Sequence, residues 1–266
     1  MSVLVTGLIG ALLYLAGTVL LIQRLRRGMS GTATLAMAAA TAGMAAHAFV
    51  LGNQLSVPAG LQLGFFHSLS LAGWVMVLLM LVIALRQPVQ NLGIGVLPLA
   101  ALALLGALTW GGGRVISTNN LGIDAHILLS LVAYGVLGLA AIQALVLLFQ
   151  HRALHDHRAL GAVRGLPPLY VMETILFRLL AIGFILLTAG LATGLLFLDD
   201  MFAQQVVHKT VLSILAWLLF AALIAGHWVA GWRGLTAVRL TLGGIVLLIV
   251  GYSGSQLVLE IILPSS

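Results

Sequence analysis

Eight apolar runs, each long enough to cross a lipid bilayer, follow one another along this chain at about 3–22, 31–51, 61–85, 92–110, 125–149, 174–198, 206–230 and 235–262. Each is near or above the ~20 residues that ~30 Å of hydrocarbon demands of a helix. Backbone N–H and C=O groups in lipid must be satisfied within the segment, so a spanning run is a helix or part of a closed barrel. A barrel needs strands of about ten residues with alternating polarity, and the runs do not alternate. The prediction is an all-α, polytopic membrane bundle of about eight helices. Only 7% of the 266 residues are charged, against roughly 25% in soluble domains. Little is left for a second domain, and residues 1–266 read as a single bundle embedded in a lipid bilayer.

The joints carry the turn residues and the charges: "QRLRRG", "GNQLSVPAG", "RQPVQN", "GGGRVISTNNLGID", "HRALHDHRALGAVRGLPP", "LDDMFAQQ" and "GWRG". Their arginines set an orientation, because basic residues stay on the cytoplasmic side. Arg24, Arg26, Arg27, Arg86, Arg152, Arg158, Arg164 and Arg233 follow spans one, three, five and seven, and Arg178 and Arg239 lie at the same-side ends of spans six and eight. Arg114 and Lys209 are the two basic residues on the other side. Both termini are therefore expected outside, in the periplasm of a bacterial inner membrane. The first run has its arginines after it, which fits a first span and not a cleaved leader.

The chain has no cysteine. That excludes a thiolate catalyst, a CxxC redox pair and an iron–sulfur cluster. The net charge of +6 is spread too thinly to suggest nucleic-acid binding. No phosphate-binding loop, catalytic triad or zinc-hydrolase motif is present, and an enzyme is not expected. "GGG" at 111–113 is a loop breaker, and Asp199 and Asp200 read as hydrated residues ending span six.

Ionisable residues in or near spans are costly and are functional candidates by default. The eight histidines are sorted by position. His151, His155 and His157 lie in the basic inner joint. The first two have i, i+4 spacing that could hold a metal, but a solvated, basic loop is the favoured reading. His126 begins span five and His208 begins span seven. Both spans run inward, so the two imidazoles lie at similar depth near the outer face. Two level histidines on different helices are what a bis-histidine haem needs, and interfacial polar residues at helix ends are the other reading. Lys209 or Arg114 is placed to pair with a haem propionate. His126, Ser130 and Tyr134 share one helical stripe, which should face the bundle rather than lipid. Asp124 suits a helix N-terminus. His47 and His67 lie near the outer ends of spans two and three, and His227 lies deep in span seven towards the cytoplasm. Each reads either as an interhelical polar residue or as a ligand.

Several of these stretches together carry a family resemblance. "AHILLSLVAYGVLGLAAIQALVLLF" at 125–149 resembles the histidine-led span of the CcsA/HemX-like cytochrome c assembly superfamily. "METILFRLLAIGFILLTAGLATG" at 172–194 is similar to its span that opens with an acidic residue and an Arg or Lys and closes on Thr-Gly. "HKTVLSILAW" at 208–217, "GHWVAGWRG" at 226–234, "VGYSGSQLV" at 250–258 and "HSLSLAGW" at 67–74 are similar to further family segments in the same order. Size and span count are closest to the small YpjD-like inner-membrane branch. The resemblance implies non-covalent haem b, with His126 as an outer ligand and His47 and His227 as within-membrane ligands. It also implies other cytochrome c assembly proteins as partners. His208 rests on the depth argument alone. Haem-handling members carry a Trp-rich platform between the spans that here flank 199–207, and a second outer histidine near the end of the last span. This chain has "LDDMFAQQVV" and "LEIILP" at those places.

The expected function is therefore haem binding that assists cytochrome c assembly or haem handling. A HemX-like regulator of haem biosynthesis acting through the 150–172 joint is the alternative. A transporter accessory is less favoured, because the midplane segments are nearly free of ionisable groups.

Overall fold

The computed structural model describes residues 2–27, 32–57, 60–110, 114–116, 121–156, 165–197 and 207–257. The expectations for His157, Arg158, Arg164, Asp199 and Asp200 lie outside the described residues, as does the side chain of Arg114. Among the described residues, eight helices are long and apolar enough to cross a membrane. They are α1 (Val3–Arg27), α2 (Thr32–Leu55), α3 (Phe65–Ala84), α4 (Gly93–Trp110), α5 (Leu121–Asp156), α6 (Leu169–Phe197), α7 (Val207–Ala230) and α8 (Gly234–Leu257). A single 3-10 turn, Gln90–Leu92, leads into α4.

Several boundaries differ from the sequence prediction by four residues or more, among them the ends of α1 and α2 and the start of α6, and those of α3 and α5 change the architecture. The third span was expected from 61, but α3 starts at Phe65. Residues before it pair as short strands β1 (Ser56–Val57) and β2 (Gly60–Leu63), and β2 also pairs with β3 (Arg114–Ile116). The ribbon is antiparallel throughout, with Leu61 opposite both Ser56 and Ile116. It joins the end of α2 and the start of α3 to the segment after α4, and its cross-strand bonds satisfy backbone groups that no helix holds. Helix α5 is longer than the 125–149 run. It has no Gly or Pro between Gly138 and Asp156, and Ala, Leu, Gln and Arg there favour helix. Its 36 residues rise about 54 Å at 1.5 Å each. His151 and His155 therefore sit on the C-terminal extension of a helix, the first half-buried and the second exposed.

Packing centres on α5, which lies against α3, α6 and α8, while α1 packs on α2 and α4, and α7 on α6 and α8. Tyr14, Leu97, Leu104, Leu137, Leu147, Leu176, Leu180 and Phe220 are fully buried along this seam. Leucines, valines and isoleucines on the outer faces of the helices, Leu12, Leu102 and Ile185 among them, are exposed, as lipid-facing positions should be.

Polar clasps fix the end of the bundle where α5 finishes and α6 begins. Gln150 and Asn91 donate side-chain N–H bonds to the carbonyls of Pro167 and Gly165, at 2.8 and 3.0 Å. Two turns back along α5, Gln143 donates to the Met172 carbonyl at 2.8 Å. These bonds satisfy carbonyls where the chain enters α6, next to Pro167 and Pro168. At the α7–α8 turn, Gly231 and Gly234 have φ of 66° and 57°. L side chains resist that region, and this accounts for both glycines of "GWRG". The Glu173 carboxylate accepts the Gly234 N–H at 2.9 Å, which satisfies a donor at the start of α8 and suits the helix dipole.

Candidate functional site

His126 stands in the second turn of α5, half-buried against α6. Its Nδ1 lies 2.8 Å from the Gly190 carbonyl oxygen. A carbonyl cannot donate, so the ring nitrogen does. In the Nδ1–H tautomer that this bond selects, the lone pair is on Nε2. A ligand histidine needs this arrangement, with the far nitrogen oriented by a backbone acceptor. Gly190 makes it possible by bringing α5 and α6 close, since a Cβ there would sit 3.2 Å from the Ser130 hydroxyl oxygen. The Thr193 hydroxyl donates to the same Gly190 carbonyl at 3.0 Å. Helical spacing in α5 pointed to the stripe, but nothing in the sequence alone singled out Gly190 as the partner.

The stripe His126, Ser130, Tyr134 does face other helices. Ser130 meets α6 at Gly190, and the Tyr134 hydroxyl is hydrogen-bonded with Ser213 of α7. The Tyr134 ring also leans on Tyr252 of α8, with centroids 5.8 Å apart. Tyr252 in turn lies near-parallel to Phe65 of α3 at 6.3 Å, and the Lys209 ammonium stands over the Tyr252 ring at 5.9 Å. Phe65 meets Phe66 edge-on at 5.2 Å, and Phe66 stacks on Trp110 of α4 at 5.5 Å. Sequence reasoning missed this aromatic series. Each member looks like one more ring at a membrane interface, and only the fold brings them together. Lys209 was expected beside His208, placed to pair with a haem propionate. The structure places it in the first turn of α7, facing Tyr252, next to an exposed His208.

The other histidines are engaged differently. His47 is fully buried, with Nε2 2.7 Å from the Ser70 hydroxyl and Nδ1 3.3 Å from the Tyr14 hydroxyl. Both nitrogens are occupied, and the three side chains tie α1, α2 and α3 together. The Trp74 indole extends this seam by donating to the Met44 carbonyl at 3.0 Å. His67, one turn from Ser70, is buried too. His227 stacks on Phe177 of α6 with centroids 3.6 Å apart. Its Nδ1 donates to the Trp232 carbonyl at 2.9 Å, and so it helps fold the turn after α7. His47 and His227 fall in opposite halves of the bundle. Among the described residues, no group of three or more His, Asp or Glu side chains gathers as a metal site.

The cytochrome c assembly protein family matches this sequence over residues 5–263, nearly its whole length. The chain belongs to that family. The inner membrane protein YpjD of Escherichia coli K12 is 30% identical over 265 residues, covering 97% of this chain and 99% of its own. A 28.8 kDa protein of Azospirillum brasilense is 35% identical over 143 residues, 53% of each chain. The cytochrome c biogenesis protein CcsA of Prochlorococcus marinus MIT 9303 is 26% identical over 88 residues, 32% of this chain and 28% of its own. No solved structure matches. The family match takes in α5 to α8, so the helices that carry His126, Gly190, Lys209 and Tyr252 all lie within it.

Proposed function

We propose that this chain is a multi-pass inner-membrane protein that binds haem b non-covalently at its outer face and assists haem handling in cytochrome c assembly. The observation that carries the reading is the Nδ1–H bond from His126 to the Gly190 carbonyl, which holds the Nε2 lone pair ready for iron. Membership in the cytochrome c assembly family and the likeness to YpjD support it. The donor set fits the group: a neutral imidazole for iron, with cationic Lys209 at the same end for a propionate. His208, at the start of α7, is the second outer candidate ligand. Bound there, haem would supply the redox chemistry. The protein's own residues fix the His126 tautomer and present the cation.

His47 is assigned to holding α1, α2 and α3 together, because both its nitrogens are already hydrogen-bonded. His227 keeps an Nε2 lone pair by the same logic as His126, but on the inner half, and it is the reserve candidate. The test is a reduced-minus-oxidised spectrum with a pyridine haemochrome assay on protein purified in mild detergent. The expected result is a haem b signature that His126→Ala removes. No Soret band after reconstitution with haemin would overturn the proposal, and full haem content in His126→Ala would overturn the ligand assignment.

The inner extension of α5, with Arg152 and His155 exposed, favours a second reading. In it the chain regulates a haem-biosynthesis protein through a partner at that end. Loss of a co-purifying partner on replacing residues 150–156, in protein that never carries haem, would favour it.

A further inference from the structure

We propose that His151 and His155, on the C-terminal extension of α5, form a two-histidine site for a divalent first-row transition-metal ion. The site lies apart from the haem reading above and stands or falls without it.

The spacing of these histidines has meaning only on a helix. In a loop, an interval of four residues fixes no distance between side chains. In an α-helix it puts both on one face, with Cβ atoms about 5–6 Å apart. The charges after Phe149 read as a loop, but α5 runs through Asp156, so the two imidazoles stand on successive turns of one face. Helical side chains lean towards the N-terminus, which brings the His155 ring back over His151. Zinc–nitrogen bonds of about 2.0–2.1 Å at a tetrahedral angle set ring nitrogens about 3.4 Å apart, and rotation about χ1 and χ2 reaches that from this Cβ spacing. Two histidines so spaced on a helix serve as paired zinc ligands. Among the described residues, no hydrogen bond, ion pair or ring contact engages either imidazole. His47, His126 and His227, by contrast, each hold a partner. Arg152 is exposed and lies a sixth to a third of a turn around from His151, about 100°, so its cation is free to swing away. The carbonyl end of the helix dipole favours a cation in this last turn. Two nitrogens are fewer than the four ligands of a structural zinc site, so water completes the shell and the ion exchanges. The ion is held only while the segment is helical, and its binding therefore orders the extension.

Zinc and nickel, titrated calorimetrically into the tag-free, EDTA-treated full-length protein in detergent, test the site. One ion should bind per chain. His151→Asn or His155→Asn should weaken binding about tenfold or more, because each removes a ligand held at high effective concentration. Exchanging the last two residues of α5, His155→Asp with Asp156→His, keeps composition and charge but sets the imidazoles five residues apart. That variant should bind as weakly as the single ones. Zinc should also slow amide exchange across 151–156, by up to about a hundredfold at a free concentration one hundred times Kd, and should not do so in His151→Asn. Equal unfolding midpoints without zinc show that the variants fold. Wild-type affinity in His155→Asn or in the exchanged variant would overturn the site. So would zinc binding that needs His157 but not His151, or no binding at all.

Discussion

The Tyr14–His47–Ser70 chain gives the sharpest energetic prediction. It lies in the bundle core, and its bonds of 2.7 and 3.3 Å differ in strength. Ser70→Ala removes the shorter one and leaves Nε2 of a fully buried ring without a partner. Orphaning a buried polar group costs ~1–3 kcal/mol in soluble cores, while interhelical hydrogen bonds in membranes average ~0.6 and reach ~1.7. The expected loss for Ser70→Ala is therefore about 1.5 kcal/mol. Tyr14→Phe keeps the ring that fills the gap beside Gly43, where a Cβ would come within 2.9 Å of it. It removes only the longer bond, and the expected loss is about 0.5 kcal/mol. A chain of hydrogen bonds polarises its members, so each single variant also weakens the bond that remains. The double variant should lose less than the two losses added. Reversible unfolding in mixed detergent and SDS measures all three. Haem content should be unchanged in the single variants, because His47 is still present and its assigned task is structural. Wild-type stability in Ser70→Ala, or a loss of half the haem in either variant with stability intact, would refute the reasoning and return His47 to the ligands.

Further outcomes follow from single residues. The chain has no cysteine, so one introduced thiol reports topology. Leu121→Cys, at a position 89% exposed, should react with a membrane-impermeant maleimide in intact spheroplasts, and Tyr170→Cys, at 74%, only after lysis; the reverse pattern would invert the orientation. Glu173→Ala should destabilise the protein by about 1 kcal/mol, as loss of a helix-start acceptor does, and should speed amide exchange at Gly234. Gly231→Ala should cost about 1 kcal/mol through its positive φ, read by thermal unfolding in detergent. Gly226→Ala should be worse, because its Cβ would overlap the Trp232 ring; equal losses in the two would contradict this account of the turn.

The eight helices were legible because lipid admits one local solution for an apolar run of twenty residues. The outer ribbon was not. Ser56–Val57, Gly60–Leu63 and Arg114–Ile116 are too short to show alternation, and residues 61–63 merge with the apolar run after them. The end of α5 was hidden for the opposite reason: its helix continues past the last apolar residue, into sequence whose charges resemble a loop. At the candidate site, the stripe His126, Ser130, Tyr134 follows from helical period alone. What each member touches depends on the crossing of α5 with α6 and α8, which no local pattern encodes. Gly190 and Tyr252 lie 64 and 126 positions beyond His126, and they become partners only when three helices pack.

Position along a span does not separate ligand from structural histidines in this chain, but the occupancy of the two ring nitrogens does. His47 spends both on hydroxyls from neighbouring helices, so binding a metal would break a bond that helps hold α1, α2 and α3 in place. His126 and His227 each spend one, donating Nδ1–H to a backbone carbonyl. Both keep an Nε2 lone pair, and their surroundings then divide them. The ring of His227 is stacked on Phe177 at 3.6 Å, and its carbonyl partner is part of the tight turn it helps to close. The carbonyl partner of His126 lies within α6, whose fold does not depend on that bond. Removing the His227 ring should therefore appear first as instability of the α7–α8 turn. Removing the His126 ring leaves the α5–α6 seam supported by Leu137 against Gly183 and by Ser130 against Gly190, so its loss should appear first in binding.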